Sequence, residues 1–408
     1  MKFRKKTILT LSCLFTANLA YAAPSEEWTY HKTADGQHPN DSEQMIVWLM
    51  NRARQDPSAE GVWLATSSED DVAGGRDYFK VDTTQLQNEF HGYTTKPPAA
   101  FDVRLYNAAY EHSVDLIARN AQDHKGQFER IKNAGFQYRN IRGNVFAYAD
   151  NALNAHAAWN IDWGGNDGGM QATRGHRKAV MALDGNYANV GIAAVANNTE
   201  LVTTGNYAVA QTSSSNHFNR FIVGTVWKDI NNNGRYDVGE ASANVTVMPN
   251  KGKYYAITSV GGGYAIPATE AGEYQVSFSG GNLQAEVVKT ITVSSDSVLL
   301  DYKEGDSSNN NNSNETNEAT VSELTFEDKS NAIFDRLEQD YSDLFSPHTT
   351  TQTQGSGNEL IYYRIYNNQY QTGLATQNGQ LFYAINAEWN HFGTLDQGNQ
   401  ALCNSQCW

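Results

Sequence analysis

Only three cysteines occur in the 408-residue chain, and one of them, Cys13, sits in an N-terminal stretch that reads as a cleaved leader. The mature chain therefore lacks the cysteines for a disulfide framework. Cys403 and Cys407, in "CNSQCW" at the C-terminus, are all that is left to pair. In an oxidising compartment this C-x3-C spacing is expected to close one small disulfide that pins the tail. Two cysteines alone are a poorer match to a zinc site. Cationic clusters are as scarce as cysteine. None appears beyond the first six residues, which argues against nucleic acid as a partner. No stretch reaches the roughly 18 apolar residues of a membrane span. No repeat of fixed period occurs, which argues against a solenoid or propeller.

What is present at the N-terminus is a secretory signal. Lys2, Arg4, Lys5 and Lys6 precede the apolar run "TILTLSCLFTANLA", and Ala20-Tyr21-Ala22 makes a small-residue cleavage site. Cys13 has no good lipobox before it, so residues 1–22 are expected to be removed and the protein secreted. Loss of those four cations takes the formal net charge from −15 to −19, which suits an exported, soluble protein.

The length points to several domains, and 40% hydrophobic with 18% charged residues fits globular units with polar, uncharged surfaces. Residues 41–215 mix helix and strand periodicities. Asp41 and Gln44 form a capping-box-like start to a helix along Met45, Ile46, Trp48 and Leu49, which Pro57 ends. Further helices are expected from Asp102, over "FERIKNAG", over about 151–161 and from His176. "NVGIAAVA" and "ELVTTGNYAVAQ" read as strands. Residues 219–303 change to short strands between Gly, Asn and Asp turns, the pattern of an all-β sandwich. "EGDSSNNNNSNETNEAT", residues 304–320, has too few apolar residues to bury a core and reads as a linker. Residues 321–408 are expected to form a small β-rich module with one amphipathic helix.

Several stretches, in order, resemble the signatures of the bacterial SCP-like proteins of the CAP superfamily. They are "WLMNRARQDP", "KPPAAFDVRLYNAAYEHSVDLIARNAQDHKG", "ERIKNAGF", "RGHRKAVM" and "NVGIAAV". The resemblance covers about residues 42–212. It implies an α-β-α sandwich with a cleft that carries two histidines and two acidic residues, which bind zinc or another divalent ion in some members. By position those histidines match His124 and His176, and one acid matches Asp162 in "NIDWGG". Asn144 fits the asparagine of the family's Gly-Glu-Asn, but Gly143 stands where its glutamate belongs. His112 lies on the apolar stripe of its helix and is expected to be a core or cleft-wall residue, and Asn144 is expected to line the cleft wall.

A second motif is more specific. "DINNNGRYDVGE", residues 229–240, fits D-x-[DN]-x-[DN]-G-x5-E at every specified position. Asp229, Asn231, Asn233, Asp237, Glu240 and the Arg235 carbonyl would offer hard oxygens to calcium, with Gly234 at the sharp turn. Strand patterns flank it, so EF-hand helices are not expected. The stretch from "GTVW" to "VSFSG" resembles the B-type domains of serine–aspartate repeat adhesins and the CNA-B-like fold. That resemblance implies a prealbumin-like sandwich acting as a spacer.

The fold expected is thus α+β, a CAP-type sandwich followed by an all-β sandwich and a β-rich module. The function expected is non-catalytic capture of an extracellular ligand, lipid or glycan through the cleft. A metal-dependent hydrolase or peptidase built on the His/His/Asp set, and an adhesin or matrix role, are the alternatives.

Overall fold

The computed structural model describes residues 23–305, 326–341, 344–345, 352–354, 361–366, 370–377, 380–386, 388–395 and 397. The leader, the linker after residue 305 and the cysteines Cys403 and Cys407 lie outside the described residues. The chain divides into two compact units, the boundary falling at Asn311/Asn312. It is α+β throughout.

In the first unit the elements run β1 (Glu26–Glu27), α1 (Asp41–Gln55), α2 (Pro57–Thr66), α3 (Asp70–Tyr78), α4 (Thr83–His91), β2 (Ala100–Phe101) and α5 (Val103–Arg119). They continue α6 (Gln127–Asn133), β3 (Tyr138–Ala149), α7 (Ala152–Ala157), α8 (Gly175–Val180), β4 (Asn189–Asn197) and β5 (Glu200–Ala210). Then come β6 (Phe221–Trp227), β7 (Val245–Pro249), β8 (Tyr254–Ile257), β9 (Gly263–Pro267), β10 (Gly272–Gly280), β11 (Val287–Val293), β12 (Val298–Leu299) and β13 (Tyr302–Lys303). Helices α2 to α4, between Pro57 and His91, and strand β3 are additions to the expected elements.

Helix α1 starts one residue earlier than its sequence signal. The capping box is Asn40 with Glu43: the Glu43 backbone N–H donates to Asn40 Oδ1 at 3.0 Å, and the Asn40 N–H donates to Glu43 Oε2 at 2.9 Å. The expected cap residues serve tertiary contacts instead. Asp41 accepts the Gly239 N–H, and Gln44 donates to Thr225 Oγ1 at 2.7 Å.

Strands β2-β4-β5-β3 form one sheet in that order, antiparallel except for β2 with β4. Alternation sends Val190, Ile192 and Tyr207 to the face packed with α1 and α8, and Ala208 and Ala210 to the face packed with α5 and α6. The α5 face is the tighter. A Cβ at Gly191 would stand 2.1 Å from the Tyr106 backbone nitrogen, so only glycine lets β4 lie this close.

The sheets β1-β8-β7-β10-β11 and β12-β6-β13, the latter joined by β9, form the β-sandwich. The segments expected as strands became β6 to β11. The N-terminal arm also joins this layer, through parallel pairing of β1 with β8 and burial of Trp28 against Phe218 and Tyr254. The helical layers and the sandwich share a buried seam. Trp48 of α1 meets Trp227 of β6 at 5.9 Å between ring centroids, and both belong to one core with Tyr236.

The second unit comprises α9 (Phe326–Asp340) and an antiparallel sheet, β14 (Gln352–Gln354), β15 (Ile361–Tyr366), β16 (Thr372–Gln377), β17 (Gln380–Ile385) and β18 (Glu388–Thr394), paired in sequence order. Ile333, Phe334 and Leu337 of the helix pack on Tyr362, Tyr366, Leu374 and Leu381.

Two glycines test this packing. Gly191→Ala is expected to destabilise the first unit by about 1–3 kcal/mol through overpacking against α5. Gly74→Ala, in α3 with open space around its Cβ position, is expected to be neutral or stabilising by up to about 1 kcal/mol. Urea unfolding of the two variants measures both.

Candidate functional site

His176 stands in the first turn of α8. Arg174 before it is left-handed, with φ +49°, which turns the chain sharply into the helix. Opposite lies the end of the segment after α7, expected as a continuous helix over about 151–161. It widens instead into a π turn over Ala158–Asp162, ending at Asp162 with φ +55°. That turn aims the Asp162 carboxylate at His176. Oδ1 meets His176 Nδ1 at 2.8 Å, and Oδ2 accepts the His176 backbone N–H at 3.0 Å. A carboxylate only accepts, so Nδ1 carries a proton and donates it to Asp162, and Nε2 is the ring nitrogen turned away from that carboxylate. Asp162 is fully buried, while the His176 side chain keeps 22% of its surface open. Arg177 is buried below. It donates to the carbonyls of Asn160 and Ile161 and pairs with Glu89, so its role is to hold the turn.

His124 is exposed and precedes α6. Its Nδ1 lies 2.6 Å from Gln127 Oε1. The Gln127 amide is fixed by its other end, because Nε2 donates to Asn206 Oδ1 at 2.9 Å and to the Gly205 carbonyl at 3.3 Å. Oε1 therefore accepts, and His124 donates to it from Nδ1. Gln127 also explains Gly143. A Cβ on Gly143 would come within 2.5 Å of Gln127 Nε2. Where the resemblance implies an acidic side chain, a buried neutral amide lies over the glycine.

Gly143 and Asn144 are adjacent on β3, so they face opposite sides of the sheet. Gly143 faces Gln127. Asn144 donates to the His176 carbonyl at 3.0 Å. The two histidines thus flank one dipeptide of the outer strand β3 from the two faces. Two expectations change accordingly, those for Asp162 and Asn144. Asp162 does not join His176 in a ligand set, because both its oxygens serve His176 itself. Asn144 is fully buried and lines no cleft. His112 is buried, with Nε2 2.9 Å from the Asp123 carbonyl and Nδ1 3.1 Å from Arg130, and burial lowers its pKa. Ser113 meets only Thr204. Gln127 was not singled out in the sequence; its position three residues after His124, at a helix start, is the signal that marks it.

The loop 229–240 closes on itself. Asp229 accepts the N–H groups of Asn233 and Gly234, and Glu240 accepts those of Ile230, Asn231 and Asp237. The side-chain amides of Asn231 and Asn233 both converge on Asp237 Oδ2, at 2.8 and 2.6 Å. Their Oδ1 atoms accept the backbone N–H groups of Asn233 and Arg235, at 3.0 and 2.8 Å, which fixes both amides in this orientation. Among the described residues, no group of three or more His, Cys, Asp or Glu is placed to hold a metal ion, here or at the histidines. The Arg235 side chain forms a two-pronged pair with Glu69, at 2.7 and 2.8 Å, and donates from Nε to Asp237 Oδ1 at 3.0 Å.

No family model matches the chain, and neither do the curated proteins or the solved structures.

Asp162→Asn keeps a residue that tolerates the left-handed backbone but removes the charge. It is expected to cost about 1.5–3 kcal/mol of stability through weakened bonds to His176. An unchanged urea midpoint would show that the carboxylate does not hold the turn.

Proposed function

We propose that the protein is a secreted, non-catalytic binding protein. Residues 41–215 act as a CAP-type domain that takes an extracellular ligand, lipid or surface component at the edge of β3, beside His124 and His176. Residues 219–303 act as a CNA-B-like brace with a calcium loop. The observation that carries this reading is the Gln127 amide over Gly143. It puts a neutral, fully hydrogen-bonded group where a metal-binding or acid–base carboxylate would be needed, and the nearby Asp162 carboxylate is already used. Two neutral imidazoles are a sparse donor set for zinc.

A hydrolase reading has one observation in its favour. Asp162 behind His176 is the arrangement that orients an imidazole as a general base or as a metal ligand. The two readings separate on the mature protein by elemental analysis, zinc calorimetry and an ester and peptide substrate panel. Zinc well below one equivalent is expected, with no turnover that depends on His176. Near-stoichiometric zinc, together with turnover abolished by His176→Ala, would overturn the binding reading.

The loop supports a brace better than a free spacer, because it grips the helical layers through Arg235–Glu69 and Gly239–Asp41. An ion that binds only the folded state stabilises it by mass action. Millimolar calcium is therefore expected to raise the melting temperature of the whole first unit by a few degrees, and Asp229→Ala to remove the shift. If the variant shifts equally, or neither shifts, calcium is not the loop's ligand.

A further inference from the structure

The sheet of the second unit carries α9 on one face. Along β15, Tyr362, Arg364 and Tyr366 are buried under the helix, and Ile361, Tyr363 and Ile365 turn the other way. Gly373, Ala375 and Gln377 of β16, Phe382 of β17 and Trp389 of β18 share that outer face. The open face of an antiparallel sheet is ordinarily polar. This one is apolar and aromatic, and Ile365 and Trp389 each remain 49% exposed. Together these side chains line a recess of about 390 Å³.

The recess has a rigid floor. A Cβ on Gly373 would come within 2.9 Å of Trp389 Cη2 and 3.2 Å of Cζ2. The indole therefore packs over Gly373 through Cη2 and Cζ2, with Ile365 beside it. Its other side is left to solvent. The Gln377 amide and the Tyr363 hydroxyl add hydrogen-bonding groups to an otherwise apolar lining.

Three properties choose the occupant. The volume lies within the roughly 300–1,000 Å³ of small-ligand sites, well short of a protein interface. No charged side chain lines the recess among the described residues, so phosphates, carboxylates and cations gain nothing there. The shape is an open aromatic shelf with polar groups beside it, where an acyl chain would instead need an enclosed slot. A ring with one C–H face and a rim of hydroxyls matches this shelf, because the negative π face of an indole attracts polarised C–H groups. We propose that this face binds a neutral glycan, with one pyranose stacked on Trp389 and its hydroxyls bonded by Gln377 and Tyr363. The site lies wholly in the second unit and does not rest on the reading of the first.

The test uses the full mature chain, titrated calorimetrically with cellohexaose, chitohexaose and maltohexaose. At least one is expected to bind with a Kd below a millimolar. Trp389→Ala is expected to weaken that binding by about tenfold or more, and Trp389→Phe by a smaller factor, as the stacked area shrinks. Gln377→Ala, at a partly exposed position, is expected to weaken it severalfold and guards against a folding defect in the tryptophan variants. The proposal is overturned if none of the three oligosaccharides binds, or if binding survives Trp389→Phe and Gln377→Ala unchanged. It is equally overturned if the glycans fail while phosphatidylcholine vesicles bind in a Trp389-dependent way. A dimer that Trp389→Ala converts to monomer, again without glycan binding, would mark the face as a self-association surface.

Discussion

Helix α1 is buried on every side, and the first unit is arranged around that constraint. Eleven of its fifteen residues are buried. Ile46, Leu49, Met50 and Ala53 belong to the core shared with β4, while Trp48 reaches Trp227 of the sandwich. A helix in that position must satisfy its polar side chains internally, because an unpaired buried polar group costs about 1–3 kcal/mol. Most are accounted for, Arg54 Nη2 and Trp48 Nε1 being the buried atoms of the helix left without a hydrogen-bond partner among the described residues. Glu43 closes the cap, Gln44 bonds Thr225, Asn51 exchanges two bonds with the Ala99 backbone, and Arg54 donates to the carbonyls of Val180 and Tyr187. These bonds tie the helix to the loop before β2, to the end of α8 and to β6. Helical layers and sandwich are consequently one body.

The same economy governs the polar groups near β3. Gln127 and Asp162 each serve as the fixed partner of one histidine, and each is spent in doing so. Their effect is to fix the rings: each imidazole donates from Nδ1 to its partner. The loop 229–240 follows a related logic, since its carboxylates are engaged by its own N–H groups and by Arg235. The second unit contrasts with both. Its charges, Arg364 with Asp335 and Glu338, lie on the helix-covered side of the sheet, and its other side is neutral and aromatic.

Features carried by local sequence were legible. The helix from Asp102 appears because Asp102 caps it and its apolar residues recur at helical spacing. Strands β4 to β11 were marked by alternating apolar runs between glycine and asparagine turns. The turn at Gly234 was marked too, since φ +75° there demands the glycine the motif supplies. Helices α2 to α4 were missed because residues 57–91 are rich in Asp, Thr and Gly, whose weak propensities are overridden by packing. Strand β3 was missed because "YRNIRGNVFAYA" places charged residues along an outer strand, where one side meets solvent.

The sequence by itself determined the α+β class, the identity of His124, His176 and Asp162 as polar groups worth locating, and the oxygen-rich loop. These depend on periodicity and spacing over a few residues. Only the tertiary structure decided what those groups do. Asp162 became the support of His176 because a π turn rotated it inward. Gly143 became the seat of an amide because α6 lays Gln127 across the strand. Trp389 became an open shelf because Gly373, sixteen residues earlier, pairs into the same sheet face. Each of these is a contact between distant segments, and its chemistry exists only once folding has brought the two together.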